Sequence, residues 1–336
     1  MNLISWNTTN LCNMNCSHCY RSAVKTAPDG KILLPPEELT TAQAKRMIEE
    51  IAKAGFRIMI FSGGEPLMRP DICELGAFTK SCGLIPVLGT NGTLITEEMA
   101  MKLKEAGFSA AGISLDSLSP EKMDDFRKLP NSFDLILRGI ENCKTAGIRV
   151  QIHTTIMNWN LDELEAITDF AVNVGAGAHH FFFLVPTGRA VEMDHAQISD
   201  IDYERAIRRI MQKQKEVPIE LKPTCAPQFL RVADQMGVKT RFSKGCLAGI
   251  SYCIIGSNGD VRPCAYLNNT IGNVKEIAFD KLWKEHPTLQ LLRTEEVGGK
   301  CGSCTYKKIC GGCRARAFYE TGNFMAEDPN CLYQAH

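Results

Sequence analysis

Net charge is the first thing this sequence lacks. Across 336 residues, 38 Lys and Arg are matched by 38 Asp and Glu. A balanced chain has no basic field with which to hold a polyanion, so neither nucleic acid nor an anionic membrane surface is an expected partner. Long apolar runs are missing too. No stretch approaches the roughly 18 residues that a membrane-spanning helix needs. The opening MNLISWNTTNLCNMNC has neither the basic nor the apolar segment of a secretory signal. Tandem repeats and low-complexity tracts are also absent. Together these absences predict a cytoplasmic protein with no membrane contact.

Cysteine is what the sequence has in excess, with 15 in the chain. Cytosolic thiols stay reduced, and a chain of this length builds a core without staples. Metal or cluster ligation is therefore expected in place of disulfides. Cys73, Cys82 and Cys143 lie in or beside helical patterns and read as core thiols. Cys225, in the segment ELKPTCAPQ, reads as a cluster-facing thiol, a substrate-facing thiol or a spare.

Apolar β-branched runs at 3–6, 57–61, 85–88, 111–115, 149–155 and 179–184 alternate with helical periodicity at 41–54, 96–106, 133–146 and 161–174. Strand–helix alternation predicts a parallel sheet with crossover helices, six units within residues 1–185. Residues 191–240 read as a helical bridge, with a charged amphipathic helix at 202–217 and a Pro-containing connection at 220–228. From residue 241 the chain turns rich in Gly and Cys, with short strands at 252–255 and 261–264 and a helix at 279–292. Such a segment needs something besides a core to hold it.

Cys12, Cys16 and Cys19 form C-x3-C-x2-C directly after the first strand. Thiolates are the ligands of iron–sulfur clusters. Three ligands leave one iron of a four-iron cluster open to a cofactor. Zinc is the alternative, but it wants a fourth Cys or His. His18 lies between two of the cysteines, where simultaneous ligation is strained. Ser62-Gly63-Gly64-Glu65-Pro66 follows the second strand. Consecutive glycines allow close backbone approach, and Glu65 can accept from an ammonium group.

The triad and the GGEP sequence together resemble the radical S-adenosylmethionine (SAM) superfamily. The resemblance implies a partial (β/α)6 barrel of the TIM type over residues 1–190. It implies a SAM-cleaving cluster on Cys12, Cys16 and Cys19, which are thereby the catalytic cysteines. It implies SAM contacts from Gly63, Gly64, Glu65, Pro66, Ser114, Asp116 and Arg127. Those last three, like Thr90-Asn91-Gly92-Thr93 and Thr154 or Thr155, sit at or after strand ends, where barrel sites gather. His18 stands where the family more often has an aromatic residue.

The later cysteines are Cys246, Cys253, Cys264, then Cys301-x2-Cys304-x5-Cys310-x2-Cys313, then Cys331. This run resembles the SPASM domain, which implies an auxiliary-cluster domain over residues 241–336. By that resemblance Cys246, Cys253, Cys264 and Cys313 hold one four-iron cluster, and Cys301, Cys304, Cys310 and Cys331 hold another, giving three [4Fe-4S] clusters in all. The spacing before Cys313 is one residue shorter than the commoner form. A two-zinc ribbon is the alternative reading.

Two longer segments, HHFFFLVPTGRA from His179 and ELKPTCAPQFLR from Glu220, together with Ile4–Thr9, are similar to radical SAM enzymes that trim tetrapyrrole side chains in haem and haem d1 biosynthesis. The resemblance implies removal or oxidative decarboxylation of propionate or acetate groups on iron-coproporphyrin III or didecarboxysiroheme. It also implies a low-potential electron donor, ferredoxin or flavodoxin. An apolar slot with basic anchors suits such a ligand. Phe181 to Phe183 are candidates for the slot, Arg189, Lys222 and Arg231 for carboxylates, and His179 or His180 for the iron. The rival reading is a SPASM-type maturase acting on a peptide or a sulfatase. Such enzymes often carry a leader-binding domain before the triad, and here the triad begins at residue 12.

Overall fold

The computed structural model describes residues 2–25, 37–193 and 196–334. Six strands run in the expected order: β1 (Leu3–Asn7), β2 (Ile58–Ser62), β3 (Ile85–Thr90), β4 (Ala110–Ser114), β5 (Arg149–Ile156) and β6 (Ala178–Phe183). Each pairs parallel with the next. Between them lie α1 (Thr41–Lys53), α2 (Ile72–Ser81), α3 (Glu97–Glu105), α4 (Pro120–Arg127), α5 (Ser132–Thr145) and α6 (Leu164–Asn173). Local chemistry sets their starts. Thr40 and Gln43 form a reciprocal capping box at α1. The Thr96 hydroxyl accepts from the Met99 amide at 3.1 Å at the head of α3.

The sheet continues where the sequence reading placed only a bridge. Residues Glu220–Thr224 form β7, parallel to β6. Pro223 is tolerated because β7 ends the sheet, and its outer side needs no amide donor. The charged helix α7 (Asp200–Gln214) and the short α8 (Phe229–Gln235) pack beside it. At the other end, β8 (Tyr252–Ile255) pairs parallel with β1, and β9 (Asp260–Arg262) and β10 (Gly272–Asn273) add antiparallel. The result is one sheet of 10 strands, ordered β10-β9-β8-β1-β2-β3-β4-β5-β6-β7. The helix expected at 279–292 is broken into α9 (Phe279–Glu285) and α10 (Pro287–Thr294). Pro287 has no amide and takes a first-turn position. Helices α11 (Gly299–Ser303) and α12 (Arg314–Thr321) complete the chain.

The two faces of the sheet differ. Ile4, Trp6, Phe61 and Ile113 point to the helices and are fully buried. Phe61 meets Trp6 and Phe108 edge-on, at 5.7 and 5.3 Å between centroids. Alternation puts Ser5, Asn7, Ser62, Ser114, His153, His180 and Lys222 on the inner face. A polar inner face beside an apolar outer one is suited to holding a ligand within the arc of the strands. Among the described residues no helix is long and apolar enough to cross a membrane.

Truncating Phe61 to Ala removes the ring at the centre of the helix-facing core. The expected cost is about 3–5 kcal/mol, read as a lower urea midpoint with an unchanged slope.

Candidate active site and cysteine centres

The cysteine loop lies across the turn after β2. The Thr8 amide donates to Ser62 O at 2.7 Å, the Gly64 amide to Thr9 O at 2.8 Å, and the Glu65 amide to Leu11 O at 2.8 Å. This contact explains both glycines. Gly63 has φ +142°, and a Cβ there would stand 2.6 Å from Thr9 O. A Cβ on Gly64 would stand 2.1 Å from Leu11 O. The backbone that approaches so closely is therefore the cysteine loop itself. Pro66 opens the short 3-10 turn Pro66–Met68 that follows.

Glu65 is fully buried. Its carboxylate accepts from Thr90 Oγ1 at 2.7 Å, from the Asn91 amide at 2.8 Å and from the Leu67 amide at 3.2 Å. Burial pushes its pKa up to about 7, against the pull of the Asn91 and Thr90 hydrogen bonds. Asn91 reaches on to the cysteine loop, donating to Asn13 Oδ1 at 2.8 Å and lying 4.0 Å from Cys12 Sγ. Thr93 Oγ1 accepts from Asn13 Nδ2 at 2.9 Å. The strand-end sequence Thr90–Thr93 thus braces both Glu65 and the loop.

Asp116 and Arg127 form a buried pair, with Arg127 Nε 2.7 Å from Asp116 Oδ2. Asp116 Oδ1 also accepts from the Thr155 amide at 2.8 Å. Arg127 Nη1 lies 3.8 Å from Cys16 Sγ. Burial opposes the guanidinium charge, but Asp116 and Cys16 outweigh it and its pKa is raised. Arg127 thus faces the loop with its charge already partnered. Ser114 makes only a long contact, 3.5 Å to Thr90 O, on the inner face.

The three loop thiols sit among N–H donors. Met14 donates to Cys12 Sγ at 3.4 Å and Ala23 to Cys19 Sγ at 3.5 Å. Burial first, then Glu65, pushes the Cys12 pKa up to about 12, and burial raises that of Cys16. Thiols this buried surrender their protons only to a compensating cation. Thiols with amide donors aimed at sulfur suit an iron–sulfur cluster. His18 stacks on Phe126, with centroids 4.3 Å apart and planes within 6°. Burial pulls its pKa down to about 3, so the stacked ring stays neutral.

The later cysteines fall into two sets. Cys301, Cys304, Cys310 and Cys331 line one cleft with Arg231 and Tyr306. Cys246, Cys264 and Cys313 form the other, and Cys225 joins them. Burial raises the Cys225 pKa, as do the charges of Cys313, Cys264 and Cys246. Cys264, raised to about 12 by burial, also responds to Cys246 and Cys313. Cys253 is not in this set. It is fully buried in the main core, opposite Ile4 in the sheet. Among the described residues no three His, Cys, Asp or Glu side chains are gathered as one bare metal ion requires.

Two family models match the chain: the radical SAM superfamily over residues 6–171, and the SPASM iron–sulfur cluster-binding domain over residues 246–314. Likeness to curated proteins runs the full length. The AdoMet-dependent heme synthase of Methanosarcina barkeri is 43% identical, over 99% of this chain and 96% of that protein. The Fe-coproporphyrin III synthase of the same organism is 31% identical, over 98% of this chain and 87% of that protein. The chain belongs to the radical SAM superfamily, in its tetrapyrrole-modifying group. Streptococcus suis SuiB bound to S-adenosylmethionine shares the fold, with a TM-score of 0.75 at 18% identity over 98% of this chain and 77% of that one. SAM and iron–sulfur clusters follow as cofactors, and the buried, amide-facing thiols fit them.

Within this radical SAM enzyme, several contacts escaped the sequence reading. Arg189, a candidate carboxylate anchor, instead clamps the cysteine loop: Nε donates to Cys16 O at 2.9 Å and Nη1 to Ala23 O at 3.1 Å. Arg231 is buried against Glu204. His179 lies on the helix side, its ring nitrogens 2.8 Å from Thr154 Oγ1 and 3.0 Å from Thr168 Oγ1. His180 lies on the inner face, stacked on His153 at 5.2 Å. Phe181 and Phe183 are core, and only Phe182 turns inward toward His153. No local sequence signal marks Arg189 or His153, because their partners are remote in the chain.

Gly64→Ala is expected to push the cysteine loop off its seat while leaving the later cysteines untouched. Iron bound after anaerobic reconstitution should fall by about one four-iron cluster, with far-UV circular dichroism unchanged. Full iron retention would contradict the contact described.

Proposed function

We propose that this enzyme is a haem synthase that converts two propionates of iron-coproporphyrin III to vinyl groups by oxidative decarboxylation. The observation that carries this reading is the full-length likeness to the heme synthase, well above that to the Fe-coproporphyrin III synthase.

In this reading Cys12, Cys16 and Cys19 hold the SAM-cleaving cluster. Gly63, Gly64, Glu65, Pro66, Ser114, Asp116 and Arg127 form or brace the SAM site. A four-iron cluster with SAM bound supplies a 5′-deoxyadenosyl radical, and the protein supplies placement. For each side chain, the propionate loses a hydrogen atom, carbon dioxide and one further electron, and the vinyl group remains. That electron needs an exit, which two auxiliary clusters in the C-terminal domain would offer, three clusters in all. A ferredoxin or flavodoxin is the donor we assign for SAM cleavage, and the cytoplasm is the compartment. Residues 1–190 serve as the core, 191–240 as a bridge that includes β7, and 241–336 as the auxiliary domain.

The inner face supports a metallated, anionic substrate. Burial keeps His153 and His180 neutral by lowering both pKa values. Among the described residues His153 Nε2 has no hydrogen-bond partner, and His180 Nε2 lies 3.7 Å from Glu220. A neutral imidazole nitrogen is an iron ligand. Burial also lowers the pKa of Lys222, and a substrate carboxylate beside it would raise it again.

The test is an anaerobic assay with SAM, dithionite and either iron-coproporphyrin III or didecarboxysiroheme, read by mass spectrometry. We expect haem, lighter than iron-coproporphyrin III by one formic acid equivalent per side chain, together with 5′-deoxyadenosine. Acetate loss from didecarboxysiroheme would move the enzyme to the earlier step. SAM cleavage with both tetrapyrroles unchanged would overturn the proposal and favour a peptide or protein maturase.

A further inference from the structure

We propose that Cys225, and not Cys253, is the fourth thiolate of the auxiliary site formed by Cys246, Cys264 and Cys313. The inference rests on the reading that this domain carries cluster sites.

Sheet geometry removes Cys253. It lies on β8, in register with Ile4 of β1. Alternation along β8 sends Tyr252 and Ile254 to one face and Cys253 and Ile255 to the other. Tyr252 marks the inner face, because its hydroxyl donates to Ser5 Oγ at 3.1 Å. On that face Ile254 pairs with Arg262 of β9, two residues before Cys264. Cys253 therefore points away from Cys264, into the core shared by Ile4, Trp6 and Ile255. Its charged neighbour there is Arg293.

The same geometry brings Cys225 in. It follows β7 directly and packs with Cys264, Tyr266 and Cys313 around Val185, Leu267 and Ala315. Its backbone has φ +60°, in the left-handed region that residues with a Cβ seldom adopt. Two buried groups hold it there. Arg316 Nη2 donates to Cys225 O at 3.1 Å, and the Tyr203 hydroxyl donates to the same oxygen at 3.3 Å. The segment ELKPTCAPQ thus delivers a thiol to the auxiliary domain from the far edge of the main sheet. On ligation each of the four thiols gives up its proton to solvent and binds as thiolate.

The experiment uses the full chain, reconstituted anaerobically, with iron and sulfide counted and the reduced clusters followed by electron paramagnetic resonance. Cys225→Ala should lose about four of roughly twelve irons, or convert one cluster to a three-iron form. Cys253→Ala should keep them all and show only a lower unfolding midpoint. Cys225→Ser guards against misfolding. It should retain the cluster with altered g-values while its circular dichroism matches the wild type. Iron loss in Cys253→Ala, with Cys225→Ala fully loaded, would overturn the proposal. A wild-type count well below roughly twelve irons would overturn the three-cluster reading, and this assignment with it.

Discussion

The catalytic side of this enzyme depends on one backbone-on-backbone contact, the seating of the cysteine loop on the Gly63-Gly64 turn. Three amide–carbonyl bonds join the two segments, and neither glycine can carry a Cβ without striking a loop carbonyl. The surrounding side chains serve that seat. Arg69 is buried, with Nη1 3.0 Å from Thr8 O and Nε 2.7 Å from Asp71 Oδ1, and lies over the Trp6 ring. Arg189 grips the other side of the loop. Asn91 holds Asn13, and Glu65 holds Asn91. This cysteine loop has few apolar residues with which to pack, so hydrogen bonds to main-chain atoms replace a core. Each of these buried polar groups is costly without its partner, which ties the loop to a single conformation.

The auxiliary side is organised by a second buried constraint, Asp328 with Arg316. Asp328 is fully buried and accepts from the Cys313 amide at 2.6 Å and from Gln228 Nε2 at 2.7 Å. Its own amide donates to Cys301 Sγ at 3.4 Å. One residue therefore touches both cysteine sets. Arg316 lies 3.6 Å from that carboxylate and extends to Leu184 O at the end of β6. A buried ion pair of this kind adds little net stability, but removing one partner strands the other. Here its role is position: it fixes the two sets relative to each other and to the main sheet.

Much of this architecture was legible in the sequence. β-branched runs and helical periodicity marked six strands and the helices between them, since each pattern is local. Thr96 announced its helix because an N-cap is a local device. Residues 220–224 were not legible, since a Pro in a short polar segment looks like a connection unless its place at the sheet edge is known. The pairing of residues 252–255 with residues 3–6 was invisible for a related reason, as nothing in either segment names the other. The cysteine sets show the same limit. Spacing counts the thiols, but only the pleat tells which face each one takes: Cys253 faces the main core, and Cys225 packs beside Cys264 and Cys313. Arg189 resembles a substrate anchor in the sequence because the sequence reveals a charge and not the carbonyls it meets.

The strand order has a bearing on how the molecule is made. β1 lies between β2 and β8, and its partner residues in β8 are 249 positions away, from Leu3 to Tyr252. At roughly 5–20 residues per second, a ribosome needs on the order of 10–50 s to supply that partner. During this interval β1 is an edge strand, with the Cys12 loop at its end and one side of its backbone unpaired. Residues 220–224 and the Cys225 thiol that follows them arrive just before residue 252 does. The nascent chain thus holds its first three cysteines for most of translation before the sheet beneath them is complete. Metal loading before chain completion would act on a half-built seat.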